Sequence, residues 1–213
     1  MKRITLFILS IIFLAACSAD ESANFKAPGA LLLQFDVNRE LTKLNRLAFT
    51  DGLIRISNFQ LDGDRVEAED YFFQNGFQPP LEILFDSLAI VPQFQFDIPQ
   101  GIYNTLRINF EIPSANIPTL IVLGSVQKAD GTWFPLALEI DSFENFSFLA
   151  KNSSGGNELV FQEGSTRIGK IELNPGHWFS GISIEQLEAA EVNDYNGSQV
   201  ILINRQHNAD LYM

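Results

Sequence analysis

The chain has 213 residues, of which 46% are hydrophobic, and 26 acidic against 14 basic side chains give it a net charge of −12. A surface this acidic repels phosphate backbones, which argues against nucleic acid as a partner, and it offers no basic face to seek anionic lipid. With one cysteine, Cys17, there is no disulfide framework.

Lys2 and Arg3 precede an apolar run over residues 4–13, followed by Leu14-Ala15-Ala16-Cys17. A basic start, a short apolar core and small residues make a secretory signal. The run is too short to cross a bilayer core of about 30 Å as a helix. Leu14-Ala15-Ala16-Cys17 resembles the lipobox of bacterial lipoproteins. That resemblance implies cleavage before Cys17, with lipid on its thiol and amine. The expected organisation is a signal over residues 1–16, a lipidated tether over 17–26 and one domain over 27–213. Removing the signal leaves 12 basic and 26 acidic residues, a net charge of −14. Ser18 stands where some inner-membrane lipoproteins carry Asp, and Ser18-Ala19-Asp20-Glu21-Ser22 is similar to the surface-export tag of some Gram-negative lipoproteins. The expected location is the outer membrane, surface-exposed or facing the periplasm.

Leu31, Leu33, Phe35 and Val37 alternate with other residues and predict a first strand. Residues 39–46 read as a loop or a single helical turn. Residues 53–61 are strand-like, with a phase switch after Ile56 that predicts a bulge. Asp62-Gly63 then predicts a hairpin turn, with residues 65–73 returning and Val66 and Ala68 inward. Gln78-Pro79-Pro80 predicts a break before a short strand over 81–85. The strongest pattern follows. Phe94, Phe96 and Ile98 alternate, as do Leu106, Ile108, Phe110 and Ile112, with Ile98-Pro99-Gln100-Gly101 as a tight corner between them.

Residues 119–126 fit a strand buried on both faces, and Asp130-Gly131 predicts a turn into an alternating strand over 133–140. Phe143, Phe146 and Phe148 are candidate core. Residues 151–157 read as a loop, and 158–161 and 167–173 as strands. Asn174-Pro175 predicts a short helical turn, and Ser183 with Gln186 a capping box on a second short helix. A last strand is expected over 199–204.

The Ile98-Pro99-Gln100-Gly101-Ile102-Tyr103 run with its alternating strand, and residues 51–63, are similar to hairpins in several groups of β-sandwich lipoproteins from Gram-negative bacteria. Some related domains are copper-associated periplasmic proteins and others belong to fimbria-like surface proteins. Many short strands with frequent turn signals predict a mainly all-β fold. The expected architecture is an antiparallel β-sandwich, immunoglobulin-like or related, with one or two short helices near the C-terminus.

No nucleophile–base pair, G-x-S-x-G elbow or P-loop is present, so the expectation is a non-enzymatic binding or structural module of the envelope with no cofactor. Tyr103, Trp133 and Trp178 are candidates to stack on a sugar ring, which would fit a glycan-binding or fimbria-like adhesive module. His177 and His207 are the weak candidates for a metal, and copper would make the chain a periplasmic accessory protein. The acids at 62, 64, 67, 69 and 70 read as a solvated hairpin, because Val66 stands where a calcium loop needs a ligand. Asn145, Asn152 and Asn196 begin glycosylation-acceptor triplets, which read as coincidence in a bacterial protein.

Overall fold

The computed structural model describes residues 27–85 and 94–212. The signal, Cys17 and the tether lie outside the described residues. Among the described residues are twelve strands and two short helices, so the fold is mainly β as expected.

Strand β1 (Gly29–Val37) buries Leu31, Leu33, Phe35 and Val37 on one face, as its alternation requires. It is the middle strand of a small sheet, between β4 (Phe94–Ile98) and β10 (Thr166–Leu173). The larger sheet is built on the long strand β2 (Leu47–Arg65). Strand β3 (Tyr71–Phe85) pairs along β2, and β5 (Gly101–Ile112) and β6 (Leu120–Gln127) pair with successive stretches of it. Strands β8 (Glu144–Leu149) and β9 (Leu159–Phe161) pair with β5. Strands β7 (Trp133–Ile140), β12 (Ser198–Ile203) and β11 (Val192–Tyr195) extend the sheet beyond β6.

The two sheets face each other across one core. The Phe35 ring meets Phe110 of β5 edge-on at 5.5 Å, and Phe59 of β2 stacks on Phe96 of β4 at 4.8 Å. Helix α1 (Pro175–Trp178) starts with Pro at its first turn, and α2 (Ile184–Ala189) carries the expected capping box. Just beyond α1, Phe179 packs on Phe49 at 5.3 Å, and Arg46 pairs with Glu188 of α2, so this segment covers the first half of β2.

Several local expectations are corrected. Asp62-Gly63 is not a turn: β2 runs through it, and the reversal comes over residues 66–70. Gly63 is in the strand because a Cβ there would lie 2.6 Å from Tyr103 Cε1, so only glycine lets that ring seat. Val66 is consequently 48% exposed instead of inward. Gln78-Pro79-Pro80 does not end a strand. It lies within β3, where the register against β2 shifts beside the predicted irregularity after Ile56. Phe143 is 56% exposed and lies outside the core, whereas Phe146 and Phe148 pack against Phe110. The corner at Pro99 joins two strands that do not pair: β4 belongs to the small sheet and β5 to the large one, so the chain changes sheets there. Not every pairing is antiparallel either: β1 with β10, and β12 with β7, run parallel. Alternation marks faces but carries no information about strand direction.

Candidate functional site

The sandwich has two seams where the small sheet meets the large one, and they differ. At the β4/β3 seam, Phe73 meets Phe96 edge-on at 5.1 Å and the Tyr71 hydroxyl donates to Asp97 O at 3.0 Å. Aromatic packing and a cross-sheet hydrogen bond close that side. At the opposite seam, among the described residues, β10 pairs only with β1, and β8 and β9 only with β5. A groove of about 740 Å³ opens between them.

The composition of β10 explains the opening. Arg167, Gly169, Ile171 and Leu173 lie in register with Leu31, Leu33, Phe35 and Val37, the inward set of β1. Ile171 and Leu173 are buried as that phase demands. Gly169 supplies no side chain, and a Cβ there would already stand 3.0 Å from Leu33 Cδ2. Arg167 is exposed. The inner face of β10 therefore changes from core to open groove in two steps. The floor is apolar, with Leu33, Ile108, Phe148 and Phe161 among its residues. The groove volume lies within the range of roughly 300–1,000 Å³ that small-molecule sites occupy.

The rim is polar and ordered. Asn152 Oδ1 accepts from the backbone N–H of Ser154 and Gly156 at 3.0 Å and from the Ser154 hydroxyl at 2.7 Å. Its amide donates to Glu158 O at 3.0 Å. Asn152 is thus the hub of the loop between β8 and β9. Lys151 and Arg167 also line the groove, as do Lys170, Glu158 and Glu172, and Lys170 is paired with Glu172 and Asp36. Among the described residues, the Lys151 and Arg167 side chains have no hydrogen bond, ion pair or ring contact. The other nine described Lys and Arg side chains each hold a carboxylate, another oxygen or a ring.

The aromatic residues singled out from sequence are not brought together. Tyr103 is 0% exposed: its ring packs edge-on against Phe161 at 5.3 Å and its hydroxyl donates to Pro99 O at 2.8 Å. Burial pushes its pKa up to about 12. A ring so enclosed presents no face to a sugar. Trp133 is 45% exposed at the start of β7. Trp178 is half-buried on α1, with its ring 6.5 Å from Phe146. No ring contact joins Trp133 to Trp178. His177 is exposed on α1, and His207 lies in the last turn, where its backbone N–H donates to Asn204 Oδ1. Among the described residues, no three His, Cys, Asp or Glu side chains gather as a metal site requires. Cys17, the lipid-attachment candidate, lies outside the described residues.

A second feature was not legible as a site. The outer face of the large sheet presents Asn58, Gln60, Asn109, Glu111 and Asn145 around a shallow depression of about 270 Å³. The sequence signal was present in the polar alternate positions of β2 and β5, but their adjacency depends on the β2–β5 register.

Comparison with known proteins matches one family description, the prokaryotic membrane lipoprotein lipid attachment site, over residues 1–18. No curated protein and no solved structure matches the chain. The match supports the lipobox reading: the chain is a bacterial lipoprotein, held at a membrane of the cell envelope through Cys17.

Proposed function

We propose that this lipoprotein is a non-enzymatic binding module of the outer membrane whose ligand enters the groove between β10 and the β8/β9 edge. The observation that carries the reading is the asymmetry of the seams. One is closed by aromatics; the other is open, floored by apolar side chains and rimmed by an ordered loop. The floor residues Leu33, Ile108 and Phe161 are buried, and the apolar side chains that the groove leaves exposed are Val160 and Ile168; such surface is costly in water, and a ligand that covers it removes that cost. One rim hydroxyl supports a role without catalysis: that of Ser154 is committed to Asn152. Ser18 after Cys17, in place of Asp, supports the outer membrane.

The test uses the full chain carrying Cys17→Ser, which lacks lipid. An apolar dye that brightens on burial should bind it saturably, and Ala150→Trp, which places a large ring in the groove, should abolish that binding while the thermal melt is kept. Equal dye binding by both proteins sinks the reading.

A glycan-binding role is the second reading, favoured by the amide-rich outer face around Asn58, Gln60, Asn109 and Asn145. Amides and carboxylates hydrogen-bond sugar hydroxyls without needing an aromatic platform. Loss of glycan-array binding on Asn109→Ala, with Ala150→Trp silent, would support it over the groove.

A further inference from the structure

We infer that the groove takes a single-chain amphiphile with a carboxylate head, a long-chain fatty acid, with Lys151 and Arg167 receiving the carboxylate. This rests on the groove being the binding site. The mature chain carries 12 basic residues against 26 acidic ones. In such a chain a cation is normally claimed by a partner: seven of the eleven described Lys and Arg side chains hold an acid or a carbonyl, Arg107 holds the Ser147 hydroxyl, and Lys128 lies over the Phe134 ring. The two left without a partner among the described residues line one groove.

Their placement fits a head at the mouth and a tail inside. Arg167 stands on the inner-face phase of β10, opposite Leu31, at a position where the same phase carries Ile171 and Leu173 deeper in the sandwich. An arginine there sets a charge directly against an apolar slot. Its planar guanidinium matches a carboxylate with two parallel hydrogen bonds, and Lys151 adds a point charge from the start of the rim loop. Of the acids on the lining, Glu172 is held by Lys170, and Glu158 forms no ion pair with Lys151 or Arg167.

The tail has a matching channel. Packed sheets stand about 10 Å apart, so a slot between them is one layer of side chains deep and receives one acyl chain. Leu33, Ile108 and Phe161 form its buried floor and Val160 and Ile168 its exposed apolar walls, all without side-chain hydrogen-bonding groups. Gly169 keeps the slot open, since any side chain there would enter the space beside Leu33.

The groove also lies near the source of such ligands. The chain enters the fold beside it: the Ala27 N–H donates to Glu163 Oε1 on the β9–β10 turn, and Gly29 abuts Phe161 of the groove floor. Cys17 is ten residues before Ala27, so the entry point is at most about 36 Å of extended chain from the lipid anchor. A site so tethered samples amphiphiles leaving the bilayer.

The test measures displacement of a fluorescent polyene fatty acid from the full chain carrying Cys17→Ser, using palmitic acid and its methyl ester as competitors. Palmitic acid should displace the probe well, and the ester should do so at least tenfold less effectively. Lys151→Gln with Arg167→Gln should weaken palmitic acid roughly tenfold or more and leave the ester unchanged. Both positions are exposed and unpartnered, so the double variant should melt like the parent. If the ester competes as well as the acid, or the double variant binds the acid with unchanged affinity, the carboxylate assignment is overturned while an apolar groove still stands. If neither competes and Ala150→Trp changes nothing, the groove reading itself falls.

Discussion

Tyr103 shows how one side chain can hold a change of sheet. Its hydroxyl donates to Pro99 O, four residues back, and Arg65 Nη2 donates to Gln100 O at 2.6 Å from above the Tyr103 ring. Gly101 turns the chain between them at φ +140°, a conformation that glycine adopts at little cost. The corner between β4 and β5 is thereby fixed by side chain to backbone hydrogen bonds rather than by strand pairing. Burial raises the Tyr103 pKa from 10.0 to about 12, with the Arg65 charge opposing and Tyr71 reinforcing the shift. The folded protein thus holds the phenol neutral where the unfolded chain would ionise. Its contribution to stability is complete below 10.0 and is lost as pH rises towards about 12. Tyr103→Phe removes one hydrogen bond, which should cost about 1 kcal/mol near neutrality. The gap between parent and variant should then narrow above 10.0, because the variant has no phenol to ionise at this position. Urea midpoints of both proteins across that range check it, and a gap that stays constant with pH would contradict the account.

At the scale of elements, alternation made the faces legible and left the partners hidden. The inward sets of β1, β4 and β5 are buried as read, in β7 Leu136, Leu138 and Ile140 are buried while Phe134 is half-buried, and the capping box of Ser183 and Gln186 is present in both directions. Phe110 illustrates the reliable part. It is buried against Phe35, Phe146 and Phe148, so Phe110→Ala should cost about 3–5 kcal/mol through lost contacts and a cavity that the paired sheets cannot collapse. An unchanged denaturation midpoint would show that the ring does not bridge the sheets. The hidden part has physical causes. Strand β11 escaped because Asn196-Gly197 was read only as part of an acceptor triplet. The two residues adopt φ of 54° and 83° and form the two-residue turn of a hairpin into β12. The groove escaped because it requires β10 to lie parallel beside β1 and β9 to lie beside β5, pairings separated by long stretches of sequence. One signal was available: Arg167 and Gly169 occupy the inward phase of a strand whose next inward residues are Ile171 and Leu173. A strand that alternates apolar at one end and charged or empty at the other is half in the core and half at a site.

For the whole molecule, the expectation to test is that the anchor and the fold are separable. Among the described residues no helix is long and apolar enough to cross a membrane, and the lipid-attachment match covers only residues 1–18. The mature chain, at net −14, gains nothing electrostatically from an anionic leaflet. The lipid-attachment match supports attachment through acyl chains at Cys17. Each buried methylene contributes about 0.8 kcal/mol; a single chain binds reversibly, and stable anchoring takes a second signal. The resemblance to lipoproteins implies more than one chain on Cys17, so the parent protein should remain in the membrane fraction through high salt. Cys17→Ser removes the acylated thiol while leaving the core from β1 onward unchanged. In the native host that variant should move to the soluble fraction with the parent's thermal melt in its folded domain. Retention in the membrane after a high-salt wash, by a Cys17→Ser chain shown by mass to have lost residues 1–16, would mean that a protein surface, rather than lipid, holds the molecule there. It would also remove the reason for setting the groove within about 36 Å of chain from a bilayer.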